Sequence, residues 1–133
     1  MTALLLAVAS PSACAQPVLQ LEVGGSISAS GYLALLRDPG ELMDANAADA
    51  ATSWRALPGS VNLGYTDDAV WLRLSVQRGS DAPARWLLKF SNALLDDVRL
   101  YRRDRFGYWQ LVQHSGEEQD RRLWPINARN PVL

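Results

Sequence analysis

The strongest indication of a fold in this chain comes from residues 63–73, which read Leu63-Gly64-Tyr65-Thr66-Asp67-Asp68-Ala69-Val70-Trp71-Leu72-Arg73. The glycine and the acidic pair predict a turn, and the alternation that begins at Ala69 predicts a β-strand. Successive strand residues face opposite sides of a sheet. One face of this strand therefore carries Val70, Leu72, Leu74 and Val76, and the other face carries Trp71, Arg73 and Ser75.

A second stretch further along the chain has the same arrangement and reads Leu94-Leu95-Asp96-Asp97-Val98-Arg99-Leu100-Tyr101. An acidic turn again precedes a strand, and here aliphatic residues alternate with an arginine and an aromatic residue. Short strands at regular spacing predict a mostly β fold, an antiparallel sandwich. The predicted strands are residues 19–23, 70–77, 85–91, 97–102 and 108–114.

One short helix is predicted before the central strand. Residues 41–54 are rich in alanine and contain no run of β-branched residues. We expect a helix that begins near Glu41 and ends before Pro58 and Gly59, because proline and glycine interrupt helices.

The alternation also assigns the two faces of the predicted sheets. The inner faces that form the core are expected to carry Val70, Leu72, Leu74, Val76, Trp86, Leu88, Phe90, Val98 and Leu100. The opposite face is expected to carry Trp71, Arg73, Lys89, Arg99 and Tyr101.

Four residues of the opposite face form the candidate ligand-binding site: Trp71, Arg73, Arg99 and Tyr101. Aromatic rings stack on sugar rings and other flat apolar groups, and guanidinium groups bind carboxylate or phosphate. The expected partner is therefore a small molecule, either a carbohydrate or a compound with a carboxylate.

Two structural interpretations compete with this site. Arg73 would stack on Trp71 or Tyr101, or pair with Asp67 or Asp97, and so only complete the surface of a sheet. Trp71 would be buried under the helix near residues 45–51, because large aromatic residues usually serve packing.

The remaining charged residues are interpreted as parts of turns and of the surface. The pairs Asp67-Asp68 and Asp96-Asp97 precede strands, where carboxylates cap backbone N–H groups. Adjacent strand residues face opposite sides, so neither pair forms a catalytic dyad. His114 lies in a strand pattern with no partner marked in the sequence and is expected at the surface, and residues 102–105 are expected to form a solvated basic turn.

Composition limits the classes of function. With 133 residues the chain forms one domain at most, and a formal net charge of −1 gives no reason to expect nucleic-acid binding. Cys14 and His114 are the only cysteine and histidine, which excludes a cysteine–histidine metal site and an intrachain disulfide. No nucleophile–base pair is recognisable, so we predict no catalytic residues, no metal, no cofactor and no enzymatic activity.

The first residues have the pattern of an export signal. Residues 4–9 are a short apolar core, Pro11 interrupts it, and Ala13-Cys14-Ala15 supplies small residues at the cleavage positions. We therefore expect a signal peptide over residues 1–15 and a periplasmic domain over residues 16–133. The alternatives are a disordered or buried N-terminal strand and lipidation of Cys14, and a membrane span is not predicted within this sequence.

Residues 64–73 and 95–101 together resemble the type 2 extracellular sensor domain of bacterial seven-transmembrane receptors with diverse intracellular signalling modules. That family has a "GYT-x-x-A-x-W-L-R" strand followed by an "L-D-x-V-x-L-Y" strand. At the position of the family's "T-G-D" loop, this sequence has Ser115-Gly116-Glu117. Weaker similarity extends over residues 31–33, 37–39 and 129–132.

The resemblance implies a jelly-roll sandwich that acts as the ligand-sensing input domain of a membrane receptor, with a diguanylate cyclase or histidine kinase as the typical output. A stand-alone or enzyme-appended carbohydrate-binding module is the alternative. The family's closing strands, membrane helices and output module are expected to lie outside this sequence. The open sheet edge that remains would favour self-association.

Overall fold

The computed structural model describes residues 15–62, 64–91, 95–126, 128–129 and 132–133. The expected signal peptide apart from Ala15, including Cys14, lies outside these residues, and so do Leu63 and Leu94 of the two motifs. The described residues confirm a mostly β fold with one short helix. Its elements are β1 Val18–Leu21, β2 Leu33–Asp38, α1 Ala45–Ala50, β3 Arg55–Leu57, β4 Ala69–Arg78, β5 Val98–Arg103, β6 Trp109–Ser115 and a 3-10 turn Arg121–Leu123.

The strands form two sheets in a sandwich-like arrangement. The larger sheet has the order β1-β4-β2-β3, and the smaller sheet consists of β5 and β6. The pairing of β4 with β2 and of β2 with β3 is antiparallel, whereas β1 lies parallel to β4. The prediction of a purely antiparallel sandwich is therefore wrong for the pair β1–β4, whose connection through β2, α1 and β3 has the length that parallel neighbours require.

The alternation predicted for the central strand is present, but its burial differs from the prediction. Val70, Leu72 and Leu74 are only half-buried, and Val76 is 53% exposed. The most deeply buried strand is β2, where Leu36 and Asp38 are each 2% exposed. The other buried hydrophobic residues are Leu19, Ala34, Leu35, Ala48, Ala82, Trp124, Val132 and Leu133.

The predicted strand at residues 85–91 is wrong as a continuous strand. Only Lys89 forms a bridge, with Val132, and Leu88 exchanges backbone hydrogen bonds of 2.9 and 3.0 Å with Leu133. Trp86 and Phe90 are half-buried rather than central to the core. The partner of this segment is thus the distant end of the chain, which local alternation cannot reveal.

The helix is shorter than predicted because two aspartates shape its approach. The backbone N–H groups of Leu42 and Met43 donate to the buried carboxylate of Asp38, which holds these residues in a loop. The side chain of Asp44 then accepts from the N–H of Ala47 as an N-cap, and α1 begins at Ala45. After Ala50 the chain becomes extended and enters β3, where Arg55 lies opposite Leu35.

Candidate functional site: an arginine and aromatic cluster where the two sheets meet

The polar face of β4 is partly covered by α1. Antiparallel pairing places Trp71 beside Leu36 and Arg73 beside Ala34 on one face of the larger sheet. From α1, Asp49 approaches this face, and its Oδ1 lies 3.2 Å from the Nη2 atom of Arg73. The same Nη2 donates to the backbone carbonyl of Asp49 at 3.2 Å. Helix and strand are therefore joined by a charge-assisted contact.

Trp71 links the larger sheet to the smaller one. Its ring centroid lies 5.8 Å from that of Tyr101 on β5, with the ring planes tilted by 38°. This distance is within the range of favourable aromatic pairs. The indole N–H of Trp71 also donates to Oδ2 of Asp38 at 3.3 Å. Trp71 is consequently half-buried, with a structural role beside any role in binding.

Asp38 is a buried carboxylate that Trp71 helps to satisfy. Burial raises the pKa of this group, but the N–H groups of Met43 and Leu42 and the indole of Trp71 lower it, and the pKa ends below its ordinary value of 3.8. The charged form of Asp38 therefore holds the loop after β2 against the central strand.

Arg73 stacks on a tryptophan that the sequence did not indicate. Its guanidinium carbon lies 4.0 Å from the ring centroid of Trp54, and the indole N–H of Trp54 donates to the carbonyl oxygen of Ala48 at 2.9 Å. Neither Asp67 nor Asp97 forms the ion pair with Arg73 that we considered, because Asp49 forms it instead. The stacking partner is likewise Trp54 rather than Trp71 or Tyr101.

Arg103 reaches the same carboxylate from the smaller sheet. Its Nη2 pairs with Oδ2 of Asp49, and its guanidinium carbon lies 4.9 Å from the ring centroid of Trp109 on β6. The interpretation of Arg103 as part of a solvated basic turn is therefore wrong. Asp104 does form the turn, since its carboxylate accepts from the N–H groups of Phe106 and Tyr108 at 2.9 and 3.0 Å.

The two sheets present the same short pattern to each other. An aromatic residue is followed two positions later by an arginine on β4, as Trp71 and Arg73, and again on β5, as Tyr101 and Arg103. Residues two apart on a strand share a face. In the structure the aromatic residues meet each other and the arginines meet through Asp49. The matching spacing was visible in the sequence, although the carboxylate that joins the arginines was not.

These contacts define the arginine–aromatic cluster: Asp49, Trp54, Trp71, Arg73, Tyr101, Arg103 and Trp109. It brings together three of the four predicted site residues. The fourth, Arg99, lies beside it on β5, where its pKa is raised by a hydrogen bond with Tyr101 and by the carboxylate of Asp97, which its Nη2 meets at 2.7 Å. Arg99 thus contacts the cluster through Tyr101.

His114 has a partner that the sequence does not mark. Its Nε2 contacts Oδ1 of Asp97, and this carboxylate also binds Arg99. Asp68 likewise pairs with Arg37, at 3.4 Å. Asp68 and Asp97 therefore contribute ion pairs between segments, a role that was not predicted for them.

The cluster is accessible to solvent and carries excess positive charge. The side chains of Asp49, Arg73 and Arg103 are 29%, 32% and 54% exposed. Two guanidinium groups face one carboxylate, so an anion is the favoured ligand on charge alone. In the part of the chain that the structure describes, no three histidine, cysteine or acidic side chains gather in a way that could hold a metal ion.

The described residues define a mostly β, sandwich-like domain. The family model for the 7TMR-DISM extracellular 2 domain matches residues 30–133, and the chain belongs to this family. The family consists of sensor-type extracellular domains of receptors, which implies a periplasmic or extracellular location. It is not an enzyme family. Neither curated proteins nor solved structures give a significant match. No helix within the described residues is long and apolar enough to cross a membrane.

Proposed function

We propose that this domain is the periplasmic ligand-sensing input module of a bacterial transmembrane signalling receptor, with a diguanylate cyclase or histidine kinase as the typical output. The observation that carries the proposal is the arginine–aromatic cluster, in which side chains from β4, β5 and α1 converge on one carboxylate. Family membership supports the receptor context. The domain binds its ligand without chemical conversion.

The chemistry of the cluster favours a small compound that has a carboxylate and a flat apolar part. Guanidinium groups bind carboxylates through planar, directional hydrogen bonds. The paired rings of Trp71 and Tyr101 offer an adjacent aromatic surface, although their 38° tilt does not form a flat platform. Carboxylates are therefore favoured over neutral sugars, which bring no negative charge to the two guanidinium groups.

The position of the cluster also fits signalling. A ligand can shift a conformational equilibrium only if it binds two states differently. The cluster joins α1 to both sheets through the contacts of Asp49 with Arg73 and Arg103. A ligand that alters these contacts changes how the two sheets are coupled, and that change would pass to the segments that follow in the receptor.

A thermal-shift screen of the purified domain against small carboxylates and monosaccharides tests this proposal. A true ligand raises the melting temperature, because it binds the folded state alone. We expect carboxylate hits whose effect is lost in Tyr101→Ala and persists in Tyr65→Ala. Tyr65 is the matched control because it is 96% exposed and lies in the turn before β4.

The outcome decides between the candidate functions. Hits restricted to sugars would favour the carbohydrate-binding alternative. Hits that survive Tyr101→Ala, or a full-length receptor that responds normally with both Tyr101→Ala and Arg73→Ala, would contradict a ligand site at the cluster.

A further inference from the structure

We infer that Asp49 is an internal occupant of a carboxylate-binding site formed by Arg73 and Arg103, and that a ligand's carboxylate takes its place and releases α1. The inference rests on the proposed function, because it names the ligand group and the event that sensing requires. It assigns Asp49 a second role beside that of a salt-bridge partner.

The geometry around Asp49 is that of a bound carboxylate. Each of its oxygens faces a different arginine, Oδ1 toward Arg73 and Oδ2 toward Arg103. Each guanidinium has a tryptophan ring against it, Trp54 at 4.0 Å and Trp109 at 4.9 Å. Stacking of this kind orients a guanidinium and leaves its edge available for hydrogen bonds. The site is therefore organised by groups other than the carboxylate within it.

Both arginines have donors to spare. The hydrogen bonds that join them to Asp49 all come from their Nη2 atoms, and a guanidinium has five N–H donors in total. A ligand's carboxylate can approach the same pair of cations without the restraint that the helix backbone places on Asp49. Exchange of one carboxylate for the other also keeps the charge of the site unchanged.

Release of Asp49 has a structural consequence because α1 is short. The helix has only six residues, from Ala45 to Ala50, and isolated helices of this length are unstable in water. It is held by the N-cap of Asp44, by the bond from Trp54 to Ala48 and by the ion pairs of Asp49. Loss of the last of these loosens the helix and the link between the sheets together.

Acetate is the probe for this inference, since it has the carboxylate of an aspartate side chain and little else. Its affinity follows from the dependence of the melting temperature on acetate concentration at constant ionic strength. In the native domain Asp49 competes with acetate, so the apparent affinity is reduced by the fraction of molecules in which the site is free. Asp49→Ala should bind acetate at least about tenfold more tightly than the native domain. This gain corresponds to a site that is free in about a tenth or less of the native molecules.

Three variants make the result specific. Asp81→Ala removes an exposed aspartate in the turn after β4, outside α1, and leaves the arginines occupied, so it should show the native acetate affinity. Asp49→Ala combined with Arg103→Lys should lose most of the gain, because lysine lacks the planar fork. Asp49→Asn keeps the size of the side chain without its charge and should bind with intermediate affinity, which secures the test if Asp49→Ala folds poorly. Acetamide, which is neutral, should have no effect on any variant.

Equal acetate affinity in the native domain, Asp49→Ala and Asp49→Asn would overturn the inference, and so would an equal gain in Asp81→Ala. These results differ from failure of the proposed function. If the carboxylate hits of the screen still depend on Tyr101 while Asp49→Ala gains no acetate affinity, only the role of Asp49 is wrong. If Asp49→Ala gains affinity while no screened ligand depends on Tyr101, the internal site stands and its use in sensing is wrong.

Discussion

Arg73 of β4 and Arg103 of β5 belong to different sheets, yet both donate to the carboxylate of Asp49. Trp71 and Tyr101 connect the same two strands through their rings. The two sheets thus meet through charged and aromatic side chains at a place open to solvent. In this junction the residues proposed to bind a ligand also hold the fold, and variants must separate the two roles.

The stacking of Arg73 on Trp54 should be measurable as a coupling energy. A double-mutant cycle with Arg73→Lys and Trp54→Leu removes the planar guanidinium and the ring separately and together. Because the pair is partly exposed, we expect a coupling of about 0.5–1 kcal/mol in the free energy of unfolding by urea. Arg37→Lys is the control. Arg37 pairs with Asp68 elsewhere on the sheet, so the cost of Arg37→Lys should add to that of Trp54→Leu without coupling. A coupling near zero for Arg73 would mean that the ring contributes packing only.

The sequence predicted the strands that carry the cluster because their alternation is local. The turn before Ala69, the strand β4 and the strand β5 all follow from patterns of turn residues and of period two. What it could not provide is the pairing of distant segments. Asp49 lies in an alanine-rich helix with no feature that marks it as the partner of Arg73, and nothing in the local sequence distinguishes Arg103 from the neighbouring Arg102 and Arg105.

The pH dependence of stability should reveal Asp38. Its folded pKa lies below the ordinary value of 3.8, so the charged form contributes stability above pH 3.8 that is lost as the pH falls through the folded value. Asp38→Asn removes this contribution, because an amide cannot accept from Leu42, Met43 and Trp71 with both of its polar atoms.

The native domain should therefore exceed Asp38→Asn in unfolding free energy by a margin that is greatest near neutral pH and shrinks below pH 3.8. Urea unfolding at pH values from about 6 down to about 2.5 measures this difference. Asp81→Asn, at an exposed turn position, is the control and should cost little at any pH. A margin that stays constant across this range would show that the charge of Asp38 does not stabilise the fold.

Export of the protein should leave Gln16 as its first residue. The apolar core of residues 4–9 and the small residues at Ala13 and Ala15 predict cleavage there. Gln16 itself is anchored in the fold, since its side-chain amide donates to the carbonyl oxygens of Tyr32 at 3.2 Å and Arg73 at 2.7 Å. Mass spectrometry of the periplasmic protein measures the new terminus. A product that retains Met1 in the cytoplasm would contradict the prediction, and a lipid on Cys14 would replace it with the lipoprotein alternative.

Replacement of Gly116, in the loop after β6, should destabilise the fold. Gly116 has a φ of 124°, and a Cβ there would overlap the carbonyl oxygen of Asp96 and lie 2.8 Å from its carbonyl carbon. The backbone that it would meet is fixed, because the N–H groups of Glu117 and Glu118 donate to Leu95 and Asp96 at 2.9 and 3.1 Å. Gly116→Ala must therefore displace the start of β5, where Asp97 binds His114.

Gly107→Ala is the matched control for this effect. Gly107 also has a positive φ, 88°, but a Cβ there would meet no atom within 4 Å. Its replacement should cost about 1–2 kcal/mol of unfolding free energy from backbone strain alone. Gly116→Ala should exceed that cost by at least about 1 kcal/mol, since the overlap with Asp96 adds to the strain. Equal urea midpoints of unfolding for the two variants would contradict this prediction. They would mean that the segment around Asp96 moves aside freely and does not hold the smaller sheet in place.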